Sequence, residues 1–288
     1  LWVPDATRVA NARLTHFMKT QHAGDARIPK DYAGFHAWSL ESSPSFWQAI
    51  WDQLGVVGEQ GSAAILQHPQ DMPGAIWFAD ARLNFAENLL HRHAPEAIAL
   101  IEHREDGRRR ALSWAALADQ SARLAGTLRL AGVGPGDRVA GFLPNGIEAV
   151  VGMLATTRLG AVWSSCSPDF GLSGVIDRFG QIGPKVLLAI NGYTYAGKVV
   201  DTRERVAEIA AGLPDLQKLI LIDNVPALDV TPRDARSLSW DEALLTEPLD
   251  VFTRVGFNDP LYILYSSGTT GVPKCIVHGV GGTLLQHL

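Results

Sequence analysis

The sequence contains only two cysteines, Cys166 and Cys275, among its 288 residues. Two cysteines are too few for a disulfide scaffold, and their spacing matches no metal-binding motif. No stretch approaches about 18 consecutive apolar residues, and no charged, apolar and small-residue leader opens the chain. These absences favour a protein of a reducing, cytoplasmic compartment with no membrane partner.

The chain also lacks an excess of positive charge. It carries 25 basic and 30 acidic residues, and no stripe of Lys and Arg is interleaved with aromatics, so no nucleic-acid partner is expected. Hydrophobic residues make up 47% and charged residues 19%, which excludes disorder, collagen and coiled coil. The densest charged run, Arg104–Arg110, contains an Asp-Gly turn signal that is typical of a solvated hairpin tip; an anion-binding patch is the alternative.

Five of the eight tryptophans lie within the first 80 residues, where proline and glycine separate helical patches. This pattern favours an aromatic packing layer, and an aromatic binding site is the alternative. The first residue is not Met, and the last residues, Gly282–Leu288, open a helical pattern. We therefore expect the chain to be cut at both ends from a longer protein.

Beyond residue 80, short apolar segments alternate with helical patterns. Asn84 followed by Glu87 predicts a capped helix that runs to Leu90, and Ser113 predicts the cap of a helix to about Ala131. The alternation predicts an α/β fold with a largely parallel sheet flanked by helices, whose ligands bind beyond the carboxyl ends of the strands. The predicted strands are 97–101, 139–143, 162–164, 186–190, 219–222 and 261–265, and the further predicted helices are 147–159, 172–182 and 198–211.

Two glycine-rich segments could bind a ligand. Gly132–Asp137 lies between a helix and a strand, which is the wrong order for a dinucleotide fingerprint and indicates a helix cap and turn. Ser266–Lys274 follows an apolar strand and combines hydroxyl groups, glycines and one lysine. Its backbone could approach an anion closely, and Lys274 adds positive charge, so the segment predicts a polyphosphate site. It does not have Walker A spacing, and a flexible surface turn is the alternative.

The string YSSGTTGVPK, Tyr265–Lys274, resembles the phosphate-binding signature of the adenylate-forming enzymes, the family that includes the acyl-CoA synthetases. The resemblance extends over essentially the whole chain, and segments 163–171 and 274–287 resemble the branch that activates acetoacetate. It implies the N-terminal part of the adenylate-forming fold, in incomplete form. The implied domains are an N-terminal extension over 1–90 and a truncated AMP-binding domain over 91–288.

The resemblance also implies a ligase that joins acetoacetate to CoA through an acyl-adenylate, releasing AMP and diphosphate, with Mg²⁺ accompanying the ATP. Lys274 is the expected catalytic residue, and no metal ligand is identified. Arg178 aligns with an arginine that contacts the CoA phosphate in the family; a surface arginine paired with Asp177 is the alternative. The residues expected to hold the ATP phosphates are Ser266, Ser267, Gly268, Thr269, Thr270, Gly271 and Lys274.

The expected partners are ATP, acetoacetate, CoA and the missing C-terminal part of the same enzyme, without which we expect this chain to be inactive. Two other functions stay open: a CoA ligase for another short-chain carboxylic acid, and a non-catalytic nucleotide-binding module. The family uses no nucleophilic cysteine, so both cysteines are predicted to be small buried residues.

Overall fold

The computed structural model of the chain describes residues 2–91, 93–230, 236–266 and 271–288. These residues form two compact units. The sequence-based boundary at residue 90 remains a prediction. The first unit comprises the residues up to Val56 with Ser62–Ala79 and Leu285–Leu288, and the second comprises Val57–Gly61 and Asp80–Leu284.

Four helices come first along the described residues, four short strands follow, and helices are then interspersed with strands. No helix among them is both long and apolar enough to cross a membrane. The helices are α1 (Ala6–Ala10), α2 (Arg13–Gly24), α3 (Tyr32–Glu41), α4 (Ser43–Leu54), α5 (Phe85–Leu90), α6 (Trp114–Leu130), α7 (Ile147–Arg158), α8 (Leu172–Ile182), α9 (Arg203–Ala211), α10 (Trp240–Ala243) and α11 (Val280–His287). The strands are β1 (Gly58–Glu59), β2 (Leu66–Gln67), β3 (Ile76–Trp77), β4 (Arg82–Leu83), β5 (Ile98–His103), β6 (Arg109–Ser113), β7 (Arg138–Phe142), β8 (Val162–Cys166), β9 (Val186–Ile190), β10 (Gly192–Tyr195), β11 (Lys198–Asp201), β12 (Lys218–Ile222), β13 (Ser237–Ser239), β14 (Val255–Gly256), β15 (Pro260–Ser266) and β16 (Lys274–Gly279).

Aromatic side chains build the core of the first unit. The rings of Phe17 and Phe35 meet edge to face with centroids 5.7 Å apart, and Phe46 packs against both rings. Trp51 stacks on Phe78 at 5.1 Å between centroids. Each such pair adds about 0.5–1.5 kcal/mol beyond the burial of its area. The aromatic residues of this unit therefore pack against one another, as the packing interpretation of the sequence requires.

A seven-stranded sheet forms the centre of the second unit. Its strand order is β13-β12-β9-β7-β8-β15-β16, and every neighbouring pair is parallel except β15 and β16. The predicted α/β fold with a largely parallel sheet is confirmed.

The sheet is covered on both faces. In β9, Val186 and Leu188 belong to the hydrophobic cluster that contains residues of α6 and α7, whereas Leu187 and Ala189 belong to the cluster that contains residues of α8 and α9. Successive side chains of a strand point to opposite faces, so a strand between two helical layers must be apolar at every position. This explains the uninterrupted apolar sequence of β9.

Capping residues set the helix boundaries where the sequence predicts them. The Asn84 side chain accepts a hydrogen bond from the backbone N–H of Glu87 at the start of α5, and Ser113 does the same from Ala116 at the start of α6. Gly132 follows the end of α6 with φ +80°, a conformation that glycine adopts without strain. The helix-cap interpretation of the Gly132–Asp137 segment is therefore correct.

The helix predicted over 198–211 is wrong in its first part. Lys198–Asp201 is strand β11, which pairs with β10 as an antiparallel hairpin, and α9 begins at Arg203. The two turn residues, Ala196 and Gly197, both have positive φ, as a two-residue hairpin loop with a type I′ turn requires. The β-branched pair Val199 and Val200 next to Gly197 is the sequence signal for this strand.

The charged run 104–110 forms the predicted hairpin between β5 and β6, with Gly107 at φ +83°. Three of its four arginines, Arg104, Arg108 and Arg110, form ion pairs with carboxylates. Arg110 bridges the buried side chains of Glu102 and Glu148, and Arg104 Nε lies 3.1 Å from Glu102 Oε2. Burial opposes ionisation of Glu102, but the hydrogen bonds from Arg110 and Arg104 outweigh it and hold the pKa of this carboxyl below 4.5.

This carboxylate network makes the stability of the fold dependent on pH. Because the pKa of Glu102 is lowered in the folded state, its contribution is present above pH 4.5 and is lost as the pH falls through the folded-state pKa. We expect Glu102→Gln to lower the free energy of unfolding at pH 7 by about 1–3 kcal/mol, and the difference from wild type to shrink toward pH 3. Denaturant unfolding at several pH values measures both effects. Glu96→Gln, at an exposed position, is the matched control, and an equal effect of the two substitutions would contradict the assignment.

Candidate functional site

The candidate site lies at the carboxyl edge of the sheet. From β7 the chain crosses to β8 on one side and afterwards to β9 on the other, so the segments that follow these strands diverge and leave a crevice between them. A cleft of about 300 Å³ occupies this position. Its polar lining includes the side chains of Asn145, Ser165, Ser167, Asp169, Tyr193, Thr194 and Tyr195.

Strand β15 brings the glycine-rich segment to the same edge. It runs parallel to β8, so its last residue, Ser266, lies at the carboxyl side of the sheet. The chain then returns as β16, and Ser266 pairs with Lys274 across the hairpin. The predicted phosphate-binding segment is therefore the connection of a hairpin at the sheet edge.

Three of the predicted phosphate-binding residues are among the described residues. Ser266 ends β15, Gly271 adopts φ +110°, which favours glycine, and Lys274 begins β16. The Lys274 side chain is exposed, and no ion pair joins it to another described residue. The predicted residues Ser267, Gly268, Thr269 and Thr270 lie outside the described residues.

Helix α8 approaches both sides of this connection. The Arg178 guanidinium lies 4.2 Å from the ring centroid of Phe170 and 5.7 Å from that of Tyr265, and it donates a hydrogen bond to the carbonyl of Gly174. Among the described residues no ion pair joins Arg178 to Asp177, and the assignment of Arg178 to CoA binding stays a prediction. One turn further along α8, Gln181 donates a hydrogen bond to the carbonyl of Pro273 at 2.9 Å.

A buried hydroxyl group joins β8 to β15. The Ser164 hydroxyl donates a hydrogen bond to the carbonyl of Ile263 at 2.8 Å and lies 3.0 Å from the Tyr265 hydroxyl. Burial raises the pKa of Tyr265 and raises that of the Cys166 thiol to about 12, so both stay protonated at neutral pH. Cys166 is thus a buried, unreactive residue, as predicted, whereas the prediction that Cys275 is also buried is wrong, because it is only half-buried.

The sequence pattern predicts no role for three polar residues beside the cleft, Asp169, Tyr193 and Arg205. Arg205 of α9 donates hydrogen bonds to the carbonyls of Pro168 and Phe170 and thereby ties α9 to the turn that precedes α8. Burial, and after it a hydrogen bond to the Asp169 carboxylate, raise the pKa of Tyr193. These residues come from three separate elements, and no sequence spacing connects them.

Comparisons with known proteins agree with this geometry. The sequence profile described as "AMP-binding enzyme" matches residues 87–287, a range that contains the cleft, α8 and both strands of the hairpin. The chain belongs to the AMP-binding enzyme family. The resemblance to adenylate-forming enzymes drawn from the YSSGTTGVPK string is therefore confirmed.

Individual members of the family show which enzymes the chain is similar to. The chain is 44% identical to the acetoacetyl-coenzyme A synthetase of Rhizobium meliloti (strain 1021) over 290 residues, which cover all of this chain and 44% of that protein. It is 39% identical to the malonamoyl-CoA synthetase vrtB of Penicillium aethiopicum over 90% of this chain and 38% of that protein. The solved acetoacetyl-CoA synthetase from Streptomyces lividans superposes with a TM-score of 0.91 at 42% identity, covering 99% of this chain and 44% of that chain. The chain thus spans less than half the length of these relatives.

The structure therefore brings the described members of the predicted site to one edge of the sheet. Ser266, Gly271 and Lys274 surround the ends of the hairpin connection, and Arg178 contacts the strand that leads into it. The described residues contain no group of three His, Cys, Asp or Glu side chains that could hold a metal ion.

Proposed function

We propose that the gene product containing this chain is an acid–thiol ligase that converts acetoacetate, CoA and ATP into acetoacetyl-CoA, AMP and diphosphate in the cytoplasm. The observation that carries the proposal is the 44% identity to an acetoacetyl-coenzyme A synthetase over the whole chain. The 1–90 segment is its N-terminal extension, and 91–288 belongs to its adenylating domain. Activity is assigned to the whole gene product, because the chain spans about 44% of the length of that relative.

The chemistry explains why a hydroxyl- and glycine-rich hairpin connection is needed. A carboxylate is a poor electrophile, so its oxygen first attacks the α-phosphorus of ATP, and the bond to diphosphate breaks. Negative charge accumulates on the departing diphosphate, and donors fixed around it lower the barrier. Ser266, Gly271 and Lys274 supply such groups at the two ends of the connection, together with Ser267–Thr270.

The other substrates enter the same scheme. The CoA thiol attacks the carbonyl carbon of the acyl-adenylate, the bond to AMP breaks, and the thioester forms. Mg²⁺ accompanies ATP and neutralises phosphate charge. Arg178 supplies a cation for a CoA phosphate, and its half-buried guanidinium keeps donor groups beyond the one bonded to Gly174.

The proposal predicts ATP–diphosphate exchange that depends on acetoacetate. We expect the full-length gene product to exchange labelled diphosphate into ATP with acetoacetate and to do so much more slowly with acetate or butyrate. If exchange is faster with another short acid, that acid and not acetoacetate is the substrate. The similarity to a malonamoyl-CoA synthetase is the reason to test this alternative. Absence of exchange with every acid would favour a non-catalytic nucleotide-binding module.

Lys274 is predicted to act in adenylation. A hydrogen bond to a charged group contributes about 1.5–3 kcal/mol, so Lys274→Ala should lower the exchange rate about 10- to 100-fold. Lys19→Ala, which removes an exposed lysine of α2, is the matched control and should leave the rate unchanged. Wild-type exchange kinetics in Lys274→Ala would remove this residue from the site.

Arg178 is predicted to act in the second half-reaction. Arg178→Met keeps an unbranched side chain against Phe170 and Tyr265 but removes the charge, so KM for CoA in thioester formation should rise about tenfold. Exchange measured without CoA should stay near wild type. Arg129→Met, at the exposed end of α6, serves as the control. A rise in KM for ATP with no change for CoA would refute the assignment.

A further inference from the structure

Gln181 connects helix α8 to the residue that precedes Lys274. Its Nε2 donates one hydrogen bond to the carbonyl of Pro273 at 2.9 Å and another to the carbonyl of Asp177, in its own helix, at 2.6 Å. An amide nitrogen carries two hydrogens, so both bonds form at the same time. The bond to Asp177 holds the side chain along the helix and leaves its second hydrogen directed at Pro273.

Among the described residues, few contacts other than that of Gln181 support segment 271–273. Gly271 and Val272 are exposed, Gly271 lies at φ +110°, and Pro273 has no N–H to donate. Within the described part of the chain, Gln181 supplies the only hydrogen bond to the main chain of 271–273. A single side chain of α8 therefore anchors this side of the hairpin connection.

This hydrogen bond acts together with the pairing of Lys274 and Ser266 on the backbone that enters β16. The carbonyl of Pro273 and the N–H of Lys274 belong to one planar peptide group, so a bond that fixes the carbonyl also fixes the plane from which Lys274 continues. On the other side, Arg178 lies 5.7 Å from the ring of Tyr265, next to Ser266. Arg178 and Gln181 are three residues apart and share one face of α8, so this face contacts strand β15 and the residue that precedes β16.

We propose that Gln181 is a positioning residue of the phosphate-binding segment, which holds the Pro273–Lys274 peptide in the orientation that Lys274 needs to meet the phosphates of ATP. The inference rests on the proposed function. Gln181 acts through Lys274 and contacts no substrate. Holding the segment before ATP arrives reduces the conformational entropy that binding must otherwise remove.

Two substitutions of Gln181 test this role in the full-length gene product. Gln181→Met keeps the length and helix propensity of the side chain but has no donor, and Gln181→Asn keeps the amide but is one methylene too short. In diphosphate exchange we expect either variant to raise KM for ATP about three- to tenfold and to leave KM for acetoacetate unchanged. Gln217→Met is the control, because the Gln217 amide makes a comparable exposed bond to Asp215 away from the hairpin.

Hydrogen–deuterium exchange supplies a readout that does not depend on activity. Without substrates, peptides that cover 271–275 should exchange faster in Gln181→Met than in wild type, whereas peptides of α8 should be unchanged. Unaltered exchange in 271–275 or an unaltered KM for ATP overturns the proposal. Equal rises in KM for both substrates with a lower Tm would also overturn it, since they indicate general destabilisation. A wild-type enzyme without diphosphate exchange refutes the proposed function instead, and hydrogen exchange then decides the anchoring role alone.

Discussion

Strand β15 joins the parallel sheet beside β8, and two residue pairs, Tyr262 with Trp163 and Ile263 with Ser164, fix its register. The Ser164 side chain is fully buried and bonds to the carbonyl of Ile263, so this register also satisfies a hydroxyl that would be costly to leave unpaired. A shift by one residue would exchange the two faces of β15 and separate these groups. The position of Ser266, and with it of the hairpin connection, depends on this pairing.

The elements of the fold could largely be predicted because each carries its own local signal. Asn84 and Ser113 cap helices with hydrogen bonds to residues three positions ahead, which is a purely local geometry. Strand β9 is apolar throughout because both of its faces are covered. The β10–β11 hairpin was missed because its turn, Ala196–Gly197, lacks the usual Asn or Asp.

The candidate site could be predicted only where its residues are contiguous in the sequence. Tyr265–Lys274 carries its chemistry in one run, so the sequence identifies it without the fold. The bond between Gln181 and Pro273, in contrast, joins residues 92 positions apart, and an exposed glutamine on a helix gives no sign of such a partner. The same holds for Tyr193 and Asp169, which come together only because β8 and β9 flank β7.

The net charge of the chain indicates that anion binding at this site must rely on nearby groups. A formal net charge of −5 disfavours an anionic ligand at long range, so attraction has to come from groups close to the sheet edge. Parallel strands connected by helices make α7 and α8 begin at the carboxyl edge, where the positive ends of their dipoles lie. At α7 this field is opposed by Glu148 in the first turn, which Arg110 in turn neutralises. At α8 the first turn contains no acidic residue, and Arg178 adds a full charge within the same helix. The side of the edge that carries α8 and the hairpin therefore has no acidic residue in the first helical turn and carries two cations, Arg178 in α8 and Lys274 at the start of β16.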